Sequence, residues 1–257
     1  MAESDTDTLR SRLTKEDLIR YDRQILYPAF GEEGQRKLRQ AHVLIAGVGG
    51  LGSPVAIYLA CAGIGKLTLV DWDVVELSNL NRQILYGEAD IGEQKVISAA
   101  RKLKGLNSTV EVNSRAEKIT AENFSGLLHE VDLVIDCMDN VATRFILNEG
   151  CVKAGIPLIH GGINGMTGEI TTIIPGKTPC FECIFPRDVE GESPFPVFGS
   201  TPALIASLQV MEATKLLAGC GELLAGKMLY VRGEETTCMT VDLEKNKACR
   251  VCGGMRP

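Results

Sequence analysis

Four glycines within six residues, Gly47, Gly49, Gly50 and Gly52, follow directly on the apolar run HVLIA (His42–Ala46). A short run with no polar interruption reads as a parallel strand buried on both faces. Glycines at its end permit a tight turn and a close approach of backbone to a ligand. Pro54 suits the first turn of the next helix, which runs through Ala56, Leu59 and Ala60 to Gly63. A helix that begins there offers free N–H groups and a favourable dipole to an anion. The following strand, LTLVD (Leu67–Asp71), ends on an acid about 20 residues beyond the turn, placed to bond a ribose hydroxyl. This strand–turn–helix–strand pattern commits the chain to an α/β nucleotide-binding fold. Taken alone it reads first as dinucleotide binding, which makes an NAD-binding oxidoreductase the competing reading.

Further along, helices and strands alternate: a helix over Gly92–Leu106, a strand at Glu111–Asn113 and a helix over Ala121–His129. A strand at Val131–Cys137, a helix over Thr143–Ala154 and a strand at Pro157–Gly161 follow. That order predicts a doubly wound, mostly parallel, Rossmann-like sheet. Upstream, Met1–Thr8 reads as a frayed tail, and Thr14 with Asp17 forms a weak capping box that opens a helix. Gly31 and Gly34 punctuate that region before a second short helix toward Gln40. After Gly162 the pattern changes to a strand at Glu169–Ile174 and a Pro-, Gly- and charge-rich loop over Glu182–Thr201. A helix at Pro202–Leu217 and strands at Lys227–Arg232 and Cys238–Asp242 complete a mixed, antiparallel extension. We read 1–257 as a single domain: N-terminal helices (1–40), a nucleotide-binding core (41–161) and a C-terminal part (162–257).

The net charge of −6 argues against nucleic acid as the main partner. The polar N-terminus lacks the apolar core of a secretory signal. The longest apolar stretch, Val55–Gly65, is too short for a membrane span. A cytoplasmic protein, away from membranes, is the expectation.

The residues beyond Asp71 shift the nucleotide reading. The segment from Asp71 to Gln83 carries Ser78, Asn79, Leu80, Asn81 and Arg82, so amides and an arginine sit just past a strand end. Lys95 comes next, at the start of a helix, and Asp139-Asn140 lies past another strand end. Sheet crevices bind ligands there. Two cations and a carboxylate suit a triphosphate with Mg²⁺, whereas hydride transfer needs no such set. Any one of these residues, taken singly, is an ordinary solvated side chain.

Of nine cysteines, four form two CxxC pairs, Cys180/Cys183 and Cys249/Cys252. A CxxC places both thiolates on one metal from a single turn, and two pairs complete a tetrahedral Zn²⁺ site. Four thiolates leave no open position, so the metal is expected to be structural. A redox dithiol would need only one pair.

The segments YDRQ (Tyr21–Gln24), GVGGLGS (Gly47–Ser53), LTLVDWDVVELSNLNRQ (Leu67–Gln83), GEQKV (Gly92–Val96) and DCMDN (Asp136–Asn140) resemble the MoeB/ThiF family, nearest its MoeB branch. The same two cysteine pairs recur in that family. This family shares its adenylating domain with the ubiquitin-activating enzymes, and the resemblance runs from about Thr14 to Cys252. It implies an adenylyltransferase that activates the C-terminal glycine of a ubiquitin-like sulfur-carrier protein (MoaD/ThiS-like) ending in Gly-Gly. It implies ATP binding by Gly50, Asp71, Ser78, Asn79, Leu80, Asn81, Arg82, Lys95, Asp139 and Asn140, with Asp139 on Mg²⁺. It further implies a homodimer in which Arg23 reaches the γ-phosphate held by the partner. Molybdenum-cofactor biosynthesis is the first pathway implied, with thiamine or other sulfur metabolism as alternatives.

The chain departs from many relatives in one loop. The segment after Cys183, IFPRDVEGESPFPVFGSTP, holds no cysteine, and none occurs until Cys220. The expectation is that the chain stops at the acyl-adenylate and that a separate sulfurtransferase delivers sulfur. Cys61 and Cys137, in apolar surroundings, read as small core residues, Cys151 as helix packing, and Cys220 as an exposed turn residue. Asn164, Gly165 and Thr167 are candidates to line a narrow channel for a Gly-Gly tail, against a plain turn as the alternative.

Overall fold

A computed structural model describes residues 13–187 and 195–254. The frayed tail expected over Met1–Thr8 and the middle of the long loop lie outside the described residues. The capping box forms as expected. Thr14 Oγ1 accepts from the Asp17 amide at 3.1 Å, and Asp17 Oδ2 accepts from the Thr14 amide at 2.8 Å, opening α1 (Lys15–Arg20). A short α2 (Asp22–Ile25) leads to α3 (Gly31–Gln40). Gly31 and Gly34 lie within α3, contrary to the sequence expectation that they precede it. A Cβ on Gly34 would stand 2.6 Å from the Phe30 ring, so this glycine makes room for a buried aromatic instead of ending the helix.

The core then builds as β1 (His42–Ala46), α4 (Gly52–Ala62), β2 (Lys66–Val70), α5 (Lys95–Leu106) and β3 (Glu111–Arg115). It continues as α6 (Phe124–Leu127), β4 (Leu133–Asp136), α7 (Val141–Ala154), β5 (Leu158–Asn164) and β6 (Thr167–Ile173). After α8 (Phe181–Ile184) and α9 (Ser200–Ala218), β7 (Lys227–Arg232) and β8 (Thr237–Asp242) close the order. Two helices are shorter than sequence suggests. α5 starts late because Gly92, at φ +88°, turns the chain and the Val74–Gln94 bridge holds it extended up to Lys95. α6 loses its first residues to a turn in which Asn123 Oδ1 accepts from the Thr120 amide at 2.8 Å. Its end is set by Glu130, at φ +57°.

All eight strands form one sheet, in the order β3-β2-β1-β4-β5-β6-β7-β8. The first five run parallel, and β5 to β8 pair antiparallel. Every residue of β1 is buried. Val43 and Ile45 face a layer made by α3, α4, α5 and α9, while Leu44 and Ala46 face α6, α7 and α8. Each fully buried Leu or Ile contributes about 1.5–3 kcal/mol, so this strand anchors both layers. Winding proceeds from β1 to β3 on one side and then jumps to β4 on the other. That jump makes a topological switch point between β1 and β4, where open α/β sheets bind ligands. Among the described residues, no helix is long and apolar enough to cross a membrane.

Candidate functional site

The crevice opens at that switch point. The turn after β1, the ends of β2 and β4, and the start of α5 line it, through Gly49, Gly50, Asp71, Lys95, Asp139 and Asn140 among others. The glycines divide by cause. Gly47 has φ +88°, and a Cβ there would meet the Cys137 carbonyl oxygen at 2.8 Å. A Cβ on Gly52 would lie 2.0 Å from the Gly47 carbonyl oxygen. Those two are required by the turn itself. A Cβ on Gly49 or Gly50 would meet the protein only at ordinary contact distances, 3.6 and 3.5 Å. Their smallness instead leaves the crevice open to something that approaches the backbone.

Asp71 takes a structural part. Its Oδ2 accepts from the Val48 amide at 2.7 Å, and its Oδ1 from the Asp73 amide at 2.9 Å. It thus ties the end of β2 to the glycine turn. Burial pushes its carboxyl above the usual value, against the pull of Lys95. Lys95 is 5% exposed and pairs with Asp73 Oδ2 at 2.9 Å. It occupies the first position of α5, where the helix dipole disfavours a cation. A buried cation in that place is a poor choice for stability and a good one for holding an anion.

Arg82 also lines the crevice, and its Nη1 donates to the Ser78 carbonyl at 2.8 Å and to Asn81 Oδ1 at 2.9 Å. Asn79 is buried, and its carbonyl accepts from the Arg82 and Gln83 amides at 3.1 and 2.9 Å. Ser78, Asn79, Leu80 and Asn81 do not line the crevice in the single chain. Leu77–Asn79 form a 3₁₀ turn, and Ser78 and Asn81 hold the Arg82 guanidinium. Asp139 is exposed and meets Asn140 Nδ2 at 3.4 Å. Asn140 caps α7, its Oδ1 accepting from the Thr143 amide at 2.9 Å. Arg23 stands apart. Its side chain is 94% exposed, with Asp22 at 3.9 Å, and it does not line the crevice of its own chain.

Sequence reasoning missed several lining residues. Arg144 Nη2 donates to the Met138 carbonyl at 2.6 Å, one residue before Asp139. Gln83 is 4% exposed, its side-chain amide lies against Gly49, and its Oε1 has no hydrogen-bond partner. Trp72 and Lys118 also line the crevice, with the ammonium 5.7 Å from the ring centroid. Arg144 falls one helical turn past the Asn140 cap, a spacing that could have identified it. The far end of the long loop roofs the crevice: Phe195 and Val197 line it. There the Gly165 amide donates to the Pro196 carbonyl at 2.7 Å, and Gly165, at φ +59°, bridges to Val197.

The four paired cysteines meet. Cys180 and Cys183 sulfurs lie 3.9 Å apart, Cys180 and Cys249 3.7 Å, and Cys183 and Cys252 3.4 Å. All four lie within 4.8 Å of one another. A disulfide would need about 2.05 Å. Four ligands at about 2.3 Å from one tetrahedral metal would have sulfurs about 3.8 Å apart, so the donor set fits such an ion. Of the other thiols, Cys137 and Cys151 are buried, and burial pushes both well above the usual range. Cys61 is exposed, which corrects its reading as a core residue. α4 is apolar nearly all round, so its sequence does not reveal that Cys61 and Tyr58 face outward. Cys220 is half-buried.

Fold and crevice together define a nucleotide-binding α/β protein with an attached four-cysteine cluster. The ThiF family profile matches residues 21–251, and the chain belongs to the ThiF family, as its sequence segments suggested. A sulfur carrier protein adenylyltransferase from Thermus thermophilus is 40% identical over 252 residues, covering 94% of this chain and 93% of the relative. The adenylyltransferase and sulfurtransferase MOCS3 of Sus scrofa is 40% identical over 250 residues, covering 95% of this chain. The chain spans only 55% of that relative's length. Among solved structures, E. coli MccB with ATP superposes with a TM-score of 0.83 at 29% identity, covering 91% of this chain and 75% of MccB.

Proposed function

We propose that this chain uses ATP to adenylylate the C-terminal glycine carboxylate of a ubiquitin-like sulfur-carrier protein, giving an acyl-AMP and pyrophosphate. The observation that carries the reading is convergence. Arg82, Lys95 and Asp139 come from three separate segments and meet around Gly49 and Gly50 at the switch point. The named adenylyltransferase relatives support it.

A carboxylate is a weak nucleophile toward an anionic phosphate, so placement and charge neutralisation must supply most of the rate. Gly49 and Gly50 let the phosphates reach the backbone amides. Lys95 and Arg82 offset charge on the phosphates as pyrophosphate departs. Asp71, already fixed by two amides, keeps lone pairs free for a ribose hydroxyl. Mg²⁺ held by Asp139 would supply further neutralisation at the phosphate oxygens. No protein nucleophile is required, which agrees with a loop that holds no cysteine beyond Cys183.

In the same reading Zn²⁺ fills the four-cysteine cluster in a structural role, joining the chain's end to α8. A homodimer brings Arg23, which does not line the switch-point crevice of its own chain, to the γ-phosphate held by the partner. Exposed Leu26 and Tyr27 beside it are apolar surface that a second copy would cover. The carrier's Gly-Gly tail enters beneath Phe195 and Val197, past Asn164, Gly165 and Thr167. A separate sulfurtransferase completes the thiocarboxylate.

The test is isotope exchange. With ATP, Mg²⁺ and a carrier ending in Gly-Gly, labelled pyrophosphate should appear in ATP. Carriers of the molybdopterin and thiamine types, offered in parallel, decide the pathway. Nicotinamide reduction without exchange would refute the proposal in favour of an oxidoreductase.

A further inference from the structure

Beneath the crevice, three neighbouring strands place three charged groups in a row. Asp136 on β4 sits in register with His160 on β5. Glu169 on β6 sits opposite Gly162, two residues along from His160. A Cβ on Gly162 would stand 2.8 Å from Glu169 Oε1, so the glycine leaves the gap through which that carboxylate reaches back. His160 is fully buried. Its Nδ1 lies 2.7 Å from Asp136 Oδ2, and its Nε2 lies 3.5 Å from Glu169 Oε1. The second contact is an ion-pair distance whose alignment falls short of a hydrogen bond, and Nε2 has no other partner.

Ionised carboxylates only accept, so a ring with a carboxylate at each nitrogen is satisfied only when both nitrogens carry protons. Arg144 Nε stands 3.6 Å from the same Asp136 oxygen. With an imidazolium the group holds two anions and two cations; with a neutral ring it holds an unbalanced buried charge. The rings of Phe181 and Phe185 also pack against His160, at 5.0 and 5.6 Å. Asp136 Oδ1 meanwhile accepts from the Met138 amide at 3.0 Å, while Arg144 holds the Met138 carbonyl. Met138, the residue just before Asp139, is therefore gripped at both its amide and its carbonyl.

We propose that His160 is a positioning residue for adenylation: bridging Asp136 and Glu169, it fixes the Met138 peptide and so the aim of Asp139 into the crevice. The inference rests on the adenylation reading. Burial alone would depress the His160 pKa, but the Asp136 and Glu169 carboxylates outweigh both burial and Arg144 and hold it above its ordinary value. The bridge is therefore fully present below the ordinary histidine pKa and is lost as pH rises through the raised one.

The chain has three histidines, which makes a nitrogen-labelled histidine NMR titration of the whole protein tractable. His160 should lose its second ring proton at a higher pH than an ordinary histidine, while His42, whose pKa burial lowers, should lose it at a lower one. In pyrophosphate exchange, His160→Gln should raise KM for Mg·ATP about tenfold or more through misplacement of Asp139. It should also abolish the alkaline fall in rate that wild type shows through the His160 titration. A role in packing alone would lower Tm and leave both readouts unchanged. Should His160→Gln not fold, Glu169→Gln at the partly exposed end of the row should lower the His160 pKa and raise KM in the same direction. A His160 that titrates at or below the ordinary histidine pKa in wild type overturns the proposal, as do folded variants with wild-type KM and pH profile. Absence of exchange in wild type with every carrier would instead fail the functional reading, leaving the NMR state of His160 to decide the bridge.

Discussion

Replacing Lys95 by methionine separates a phosphate-binding lysine from a structural one. Lys95 Nζ lies 2.9 Å from Asp73 Oδ2, with the lysine side chain 6% exposed and the aspartate 42% exposed. In Lys95→Met, Asp73 keeps its access to water, so the lost pair costs no more than about 1 kcal/mol. Removing a cation from the first turn of α5 returns about 0.3–1 kcal/mol, and the methionine stem refills the lysine's space. The expected net change in stability is within about 1 kcal/mol, a Tm shift below about 4 °C for a chain of this size. The effect on chemistry should be far larger. Losing one preorganised charge from a phosphoryl-transfer transition state costs about 10²–10³ in rate, or about 2.7–4 kcal/mol. Pyrophosphate exchange and a thermal melt on the same preparation measure both quantities. A Tm lowered by more than about 8 °C with exchange retained would show that Lys95 serves the fold and that the reasoning is wrong.

Two glycines should part company. Gly52→Ala, whose Cβ would meet the Gly47 carbonyl at 2.0 Å, should destabilise by about 2 kcal/mol or more in a denaturant titration. Gly50→Ala should leave the midpoint within about 0.5 kcal/mol but weaken ATP binding by calorimetry. Asp139→Ala, at an exposed position, should keep the wild-type melt and lose Mg²⁺-dependent exchange; undiminished exchange would remove Asp139 from the metal. Cys252→Ser, or chelation of the native protein, should release one equivalent of Zn²⁺ by colorimetric assay and lower Tm by several degrees, because metal-binding energy is folding energy. No metal in the purified chain would refute the site.

Much of this was readable from the chain. The doubly wound order follows from alternating apolar periods, because a strand buried on both faces leaves a continuous run such as His42–Ala46. The two CxxC pairs carry their own geometry, and the sulfurs meet as their spacing suggested. Arg82, Lys95 and Asp139 share the crevice, whereas Ser78 and Asn81 hold the Arg82 guanidinium. A residue's place in a motif does not say which way its side chain turns, so this division was not legible in the sequence. Cys61 was misplaced for a similar reason: an all-apolar helix carries no periodic signal for its outward face. The His160 row was invisible because its members lie on three different strands.

The sequence by itself determined the elements, their alternation, the glycine turn and the paired thiols, since each is a local property of neighbouring residues. Only the tertiary structure decided which side chains face the crevice, which glycines serve the turn and which the ligand, and that Asp136, His160 and Glu169 form a row. Those relations depend on strand register and on the jump from β3 to β4. They join residues far apart in the chain, and no local pattern encodes them.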